Sequence, residues 1–210
     1  DIKSRLESSI KLPEGYYYDF DGQYESQQKA MRLVFLLGAI SIVAVFIVLF
    51  AHFNSAVIAL QIMVNIPLAL IGSVLAICLT DNTFSVATLI AFITLCGIAS
   101  RNGIMMISHY LHLMKEEGES FSKEMIIRGS LERLVPVLMT AFSAILALSP
   151  LLFAYDEPGK EILHTVAVVI VSGLLSSTLL DIFVTPAIFY KFGKKSAERY
   201  LQKDNAQILN

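Results

Sequence analysis

The chain has 210 residues, of which 55% are hydrophobic and 16% are charged, and its net charge is −2. Globular chains carry about 25% charged residues, and here the deficit is local, because no Asp, Glu, Lys or Arg occurs from Leu33 to Thr80. Crossing a hydrocarbon core of about 30 Å takes roughly 20 apolar helical residues. The composition therefore predicts a polytopic membrane protein. It excludes a soluble enzyme, a nucleic-acid-binding module and a disulfide-built secreted domain.

Residues 1–32 form the polar N-terminal part of the chain. Helical spacing of apolar residues at 2–10, a turn at Pro13-Glu14-Gly15 and an aromatic segment at Tyr16–Phe20 predict a helix, a turn and a short strand. Residues 23–32 read as a helix that leads into the membrane. We expect an α+β remnant of an extramembrane domain and, since the chain begins with Asp1, a fragment of a longer protein.

Five apolar runs follow, separated by short polar segments. The second run contains Pro67, which membrane helices tolerate when neighbouring groups satisfy the freed carbonyl. A polar connector at 110–132, with an amphipathic helix predicted through Phe121 and Met125, joins the third and fourth runs, and residues 191–210 form a Lys-rich tail. The predicted fold is an all-α membrane protein, a five-helix transmembrane bundle over 33–190 with spans at about 33–53, 56–79, 84–108, 133–155 and 162–190.

The charge distribution predicts an orientation. Five crossings place the two ends of the chain on opposite sides of the membrane. The tail and the 110–132 connector, counted with Arg133, carry nine Lys and Arg, whereas the loops on the other side carry one. Five more lie in residues 1–32, but the rule is weaker for a folded domain, so the loops decide. Positively charged loops tend to stay in the cytoplasm. We therefore expect a cytoplasmic C-terminus and connector, with residues 1–32 on the outside.

Two ionisable residues, Arg101 and Asp181, interrupt the apolar runs. A charge at the bilayer centre costs on the order of 3 kcal/mol and normally faces a partner or a water path. For Arg101 the alternative is a third span that ends early, with the arginine at the interface. Asp181 shares a helical face with Ser177, Thr178 and Thr185. It is therefore either a functional group or the acceptor of a structural hydrogen bond.

Two further pairs stand out in the fourth and fifth spans. Arg133 opens the fourth span, and Thr140 follows on the same face, about 10 Å along the axis. In isolation this pair is typical of an interface arginine and a hydroxyl bonded to its own backbone. Gly173 and Ser177 form a small-xxx-small pair, which favours close helix packing. The Cys, Met and His residues indicate no metal site by their spacing, and we expect no cofactor.

Several of these segments, in this order, resemble motifs of the resistance–nodulation–division (RND) efflux pumps. Leu12–Tyr16 with Gly22–Ser26 resembles the segment that joins the porter region to the membrane. The resemblance continues in the family's tenth, eleventh and twelfth spans, through Gly97–Ile104, Arg133–Thr140 and Gly173–Pro186. It covers essentially the whole chain. The sequences of the Leu-Pro-Glu-Gly-Tyr and Ser-Thr-Leu-Leu-Asp segments are most similar to those of the heavy-metal efflux branch.

The resemblance implies that the five spans are the eighth to twelfth of twelve. It implies a secondary transporter, not an enzyme: a proton antiporter that forms a homotrimer in the inner membrane and works with a periplasmic adaptor and an outer-membrane channel. Residues 1–32 would end the periplasmic porter region, and the N-terminal half would be missing. The expected substrate is a heavy-metal cation. Alternatives are an RND exporter of drugs or other amphiphiles and, from another class, a non-transporting membrane receptor or scaffold.

The resemblance also implies a proton relay. In the family, acidic residues of the fourth span pair with a basic residue of the tenth span and with an arginine and a threonine of the eleventh. Carried onto this chain, the last three are Arg101, Arg133 and Thr140, with Asp181 as an auxiliary titrating group. Drug pumps often have lysine where this chain has Arg101. Because arginine stays protonated in proteins, Arg101 can pair with a titrating carboxylate and be released from it, but cannot carry the proton.

Overall fold

A computed structural model describes residues 23–80, 85–154 and 159–208, and every regular element in these three ranges is a helix. The α+β remnant predicted at the N-terminus falls on residues 1–22, outside the described residues. The lead-in segment predicted at 23–32 is helical and continuous with the first span.

Seven helices account for the described part of the chain. They are α1 (Gln23–Phe53), α2 (Ala56–Met63), α3 (Asn65–Leu79), α4 (Val86–Glu116), α5 (Lys123–Leu152), α6 (Glu161–Phe192) and α7 (Lys194–Ile208). Helices α2 and α3 together make one crossing, so five segments are long and apolar enough to span a membrane. The all-α class and the five-helix transmembrane bundle are confirmed for these residues.

Serine caps start three of the apolar helices. Ser55 accepts a hydrogen bond from the backbone of α2, Ser122 accepts one from α5 at 3.1 Å, and Ser85 forms a reciprocal capping box with Thr88 at the start of α4. Such caps satisfy amide groups that have no partner within the helix. The tight connection before α2 also uses Asn54 at φ 48°, a left-handed conformation that asparagine adopts more readily than most residues.

The second crossing is broken at Val64, between α2 and α3. Pro67 has no N–H and cannot donate to the carbonyl of Met63, one turn earlier. Val64 keeps helical dihedral angles and its N–H bonds the carbonyl of Leu60 at 3.1 Å, so the helix is interrupted without unwinding. The next residue, Asn65, is buried in the bundle.

Residues 110–132, the predicted connector, are mostly helical. Helix α4 runs on to Glu116 and α5 begins at Lys123, which leaves only residues 117–122 as a loop. Both extensions are amphipathic: Tyr110 and Met125 are buried in the core at this end of the bundle, while charged residues face outward. The amphipathic helix predicted through Phe121 and Met125 is therefore present from Lys123 onward, whereas Phe121 lies in the loop.

The tail also folds on this end of the bundle. Residues 194–208 form α7, for which the sequence pattern predicted only a Lys-rich tail. Ala197 is buried in the same core, and the Tyr200 ring lies 6.3 Å from the ring of Phe53 at the end of α1. These contacts tie α7 to the α1–α2 connection.

Helices α4 and α6 are the most buried of the five crossings, and α1 and α5 are the most exposed. Helix α3 lies directly against α6. A Cβ atom at Gly173 would overlap Ser73 Oγ and the Leu95 side chain, and one at Gly72 would overlap Ser176. Close approach through small residues is a common basis of helix association in lipid, where hydrophobic burial contributes little.

Candidate functional site

Arg101 and Thr140 lie at about the same depth in the bundle. Helices α4 and α5 are antiparallel neighbours, and Tyr110 Oη lies 2.6 Å from Ser130 Oγ. Arg101 precedes Tyr110 by nine residues and Thr140 follows Ser130 by ten, which corresponds to about 13.5 Å and about 15 Å along the two axes. The two positions therefore differ in depth by only about one residue's rise.

Asp181 belongs to the same level. Helix α6 runs parallel to α4, and the Phe189 ring stacks on Tyr110 with centroids 4.9 Å apart. Asp181 precedes Phe189 by eight residues, about 12 Å, and Arg101 precedes Tyr110 by about 13.5 Å. The register thus places three of the four predicted relay residues in one layer of the bundle.

Arg101 lies at the midpoint of α4, about 22 Å from either helix end. The helix does not end early, since it continues for fifteen residues beyond the arginine. The side chain is exposed on the outer surface of the bundle, and it forms no hydrogen bond or ion pair with the residues described. A permanent cation therefore faces outward from the middle of a membrane-spanning helix.

Thr140 is exposed on α5, and its hydroxyl donates to the carbonyl of Val137 at 2.8 Å. This bond to its own helix leaves the oxygen lone pairs of Thr140 available to a further donor. Arg133 lies two turns closer to the 117–122 loop. Its Nη2 is 3.4 Å from His109 Nδ1, and its Nε is buried with no hydrogen-bond partner among the described groups.

Asp181 is 4% exposed and keeps one unpaired carboxyl oxygen. Ser177 Oγ donates to Oδ2 at 3.0 Å, and Oδ1 has no hydrogen-bond partner among the described residues. The Thr178 hydroxyl also has no partner in the described part of the chain, and Thr185 donates to Asn65 Oδ1 at 2.9 Å. The structure therefore joins Asp181 to one of its three helical neighbours and not to Arg101.

Gly173 and Ser177, the predicted packing pair, have different surroundings. Gly173 faces α3, where Ser73 Oγ donates to the carbonyl of Val169 at 2.7 Å. Ser177 is buried, and its hydroxyl is used on Asp181 within α6.

The predicted site residues do not include two buried side-chain amides of the second crossing, Gln61 and Asn65. Gln61 and Asn65 lie one turn apart on either side of the break, and both have side-chain atoms without a partner among the residues described. Asn65 sits between Thr185 of α6 and Gly103 of α4, where a Cβ atom would overlap its Nδ2. Their i, i+4 spacing within an apolar run is the signal that would have marked them.

A charged cluster, which we call the loop-end cluster, lies where α4 meets α5. Arg128 pairs with Glu117 and Glu132, both at 2.8 Å, and with Glu119. Glu132 also bonds His109 Nε2 at 2.8 Å. Over the described ranges, no group of three His, Cys, Asp or Glu residues could hold a metal ion.

Comparison with known proteins decides the family. Residues 1–193 match the AcrB/AcrD/AcrF family, so all of the predicted site residues lie inside the match. The chain belongs to this family of RND transporters.

Relatives and a solved structure extend this assignment. The chain is 34% identical over 189 residues to the cobalt-zinc-cadmium resistance protein CzcA of Cupriavidus metallidurans, and 32% identical over 188 residues to the multidrug resistance protein MdtC of Proteus mirabilis. Each match covers 90% of this chain and 18% of the relative. A crystal structure of a heavy metal efflux pump superimposes on 91% of the chain with a TM-score of 0.73 and 31% identity, and 19% of that pump is covered. The chain thus spans less than one fifth of each of these RND family relatives.

Proposed function

We propose that this chain is the C-terminal transmembrane part of a proton-driven RND pump that exports heavy-metal cations across the bacterial inner membrane. The observation that carries the proposal is Arg101: a cation at the midpoint of a spanning helix, exposed and unpaired within the described residues. A charge at that depth costs on the order of 3 kcal/mol without a partner. We infer that a carboxylate from a part of the pump outside this chain faces it.

The register supports a relay built around that carboxylate. Thr140 is exposed at about the depth of Arg101 on the neighbouring helix, while Arg133 lies about 10 Å closer to the 117–122 loop. Asp181 lies at the same depth on the buried side, with one oxygen unpaired over the described ranges. These positions form a polar layer across α4, α5 and α6 in which protons can exchange.

The chemistry of the ion pair between Arg101 and the carboxylate determines the order of the steps in the proton cycle. The carboxylate stays ionised beside the guanidinium until a proton neutralises it. Because protonation neutralises the carboxylate while Arg101 keeps its charge, the ion pair breaks and Arg101 is free to move. Asp181 acts as an auxiliary proton acceptor. Each proton that moves down a 100 mV potential supplies about 2.3 kcal/mol, and repeated cycles supply the work of export.

The rest of the pump follows from the same proposal. The 117–122 loop and α7 face the cytoplasm, and residues 1–32 end the periplasmic porter region. The five crossings are the last five of twelve, in a homotrimer that works with a periplasmic adaptor and an outer-membrane channel. The exposed apolar surfaces of α1 and α5 support this arrangement, because they leave room for further helices of the same protein or for lipid.

Heavy-metal cations are the substrates that we favour. CzcA is named for cobalt, zinc and cadmium resistance, and the structure that superimposes on this chain is a heavy metal efflux pump. Drug export is the second candidate, because MdtC, a multidrug resistance protein, is almost as similar to this chain.

Resistance assays on the full-length gene test both the coupling and the substrate. In a strain lacking its own exporters, Arg101→Ala should abolish resistance to cobalt, zinc and cadmium without reducing the amount of protein in the membrane. Ile90→Ala, an exposed apolar position on the same helix, is the matched control and should leave resistance unchanged. Full resistance in Arg101→Ala would reject the relay. If the wild-type pump protects the strain against drugs but not against metals, drugs replace heavy-metal cations as the proposed substrates.

A further inference from the structure

His109 lies between an anion and a cation at the membrane end of the loop-end cluster. Its Nε2 is 2.8 Å from Glu132 Oε2, and its Nδ1 is 3.4 Å from Nη2 of Arg133. The side chain of His109 is 12% exposed, whereas that of Glu132 is 39% exposed. His109 thus stands between the predicted relay arginine and a carboxylate that water can reach.

The two contacts fix the tautomer of the ring. A guanidinium has only N–H donors, so Arg133 must donate and His109 Nδ1 must accept. The other ring nitrogen then carries the proton, and Nε2–H donates to Glu132. In this arrangement His109 is neutral, and it is the only hydrogen-bond partner of Arg133 among the described side chains.

Protonation of His109 would reverse its effect on Arg133. A proton on Nδ1 removes the lone pair that accepts from Nη2 and places two cations side by side, while the bond to Glu132 remains and gains strength as an ion pair. Arg133 has no second bond to hold it, since its Nε is already unpartnered within the described residues. The arginine would therefore leave its position.

The other charged and titratable residues near His109 do not take over its contact with Arg133. His112, on the same helix, stacks on His109 with ring centroids 6.3 Å apart. Arg128 reaches His109 only through Glu132, to which it is paired at 2.8 Å. Across the described ranges, no ionisable side chain of α6 or α7 forms a hydrogen bond or ion pair with His109, which leaves Glu132 and Arg133 as its charged partners.

We propose that His109 is a positioning residue for Arg133, holding the relay arginine while neutral and releasing it when protonated from the side of the 117–122 loop. The inference rests on the proposed antiport. It adds a device by which acid on the loop side disengages the relay. Histidine is suited to this task because it changes charge between about pH 5 and 8.

Proton flux in everted membrane vesicles that contain the full-length pump tests the inference, because the loop side then faces the buffer. Wild-type flux should fall about fivefold or more between pH 7.5 and 5.5. His109→Asn places a non-titrating amide oxygen near the position of Nδ1 and should keep flux at pH 7.5 but lose the decline. His109→Gln, which favours the bond to Glu132 over the one to Arg133, should be impaired at both pH values. His112→Asn is the matched control and should keep the wild-type profile.

Two results of the flux measurement would overturn the inference: a His109→Asn profile with the wild-type decline, or a wild-type flux that does not fall in acid. Absence of proton flux in the wild type, or full flux in Arg101→Ala, would instead contradict the proposed antiport. A second measurement is independent of transport. ¹⁵N NMR of the histidines in the lipid-embedded pump should show His109 at pH 7.5 with its proton on Nε2, and Arg133→Ala should shift that signal. A proton on Nδ1 at pH 7.5 would also overturn the inference.

Discussion

Replacing Gly173 by alanine should destabilise the contact between α3 and α6 by about 1.6–3.6 kcal/mol. The new methyl group would overlap Leu95 Cδ2 and Ser73 Oγ, and it would lie 3.1 Å from the carbonyl oxygen of Ala69. Leu95 is fully buried, so moving its side chain would disturb the neighbours packed around it. Adding a methyl group to such a site costs about 1–3 kcal/mol.

The hydroxyl of Ser73 adds a second contribution. If Ser73 rotates away from the new methyl group, it gives up its 2.7 Å hydrogen bond to the carbonyl of Val169. Interhelical hydrogen bonds in membrane proteins contribute about 0.6 kcal/mol on average. The two contributions together give the expected range.

Thermal inactivation of the full-length protein in detergent measures the effect. Gly97→Ala is the matched control, because a Cβ atom at Gly97, on neighbouring α4, would meet no atom of the described residues within 4 Å. The Gly173 variant should inactivate at a lower temperature than both the wild type and the Gly97 variant. Equal midpoints for the two alanine variants would refute the packing argument.

Three further substitutions have defined outcomes. Asp181→Asn keeps the shape of the side chain but cannot titrate, and it should lower proton flux by about tenfold with unchanged membrane content; unaltered flux would leave Asp181 a purely structural acceptor. Asn65→Ala removes the acceptor of the buried Thr185 hydroxyl and should lower stability by about 0.6–1.7 kcal/mol, visible as a lower inactivation midpoint in detergent. Arg128→Ala breaks three ion pairs that fasten the 117–122 loop and should speed proteolytic cleavage there, whereas an unchanged cleavage rate would show that these exposed pairs do not hold the loop.

Patterns along one helix were visible in the sequence. The uncharged runs marked the five crossings, and Arg101 stood out because a charge inside such a run is costly. The helix ends were harder to place, because the charged residues between 110 and 132 lie on the outward faces of amphipathic extensions of α4 and α5. The amphipathic pattern around Met125 predicts a helix there, but it does not show that α4 and α5 continue into this region without interruption.

Contacts between helices were not visible. The bond from Thr185 to Asn65 joins residues 120 positions apart, and the contact between His109 and Arg133 depends on the register of α4 against α5. The sequence separations of these two contacts do not recur along the chain, so sequence periodicity cannot reveal them. The sequence does show which side chains are polar within apolar runs, and by that criterion Asn65 is as good a candidate site residue as Asp181.

The central claim is that Arg101 holds an anionic carboxylate from another part of the pump in the middle of the membrane. Infrared difference spectra of the lipid-embedded full-length protein, recorded as a function of pH, measure that carboxylate directly. In Arg101→Ala, loss of the guanidinium should move the protonation of one membrane carboxyl group to higher pH than in the wild type. Identical carboxyl titrations in the two proteins would show that Arg101 has no such partner.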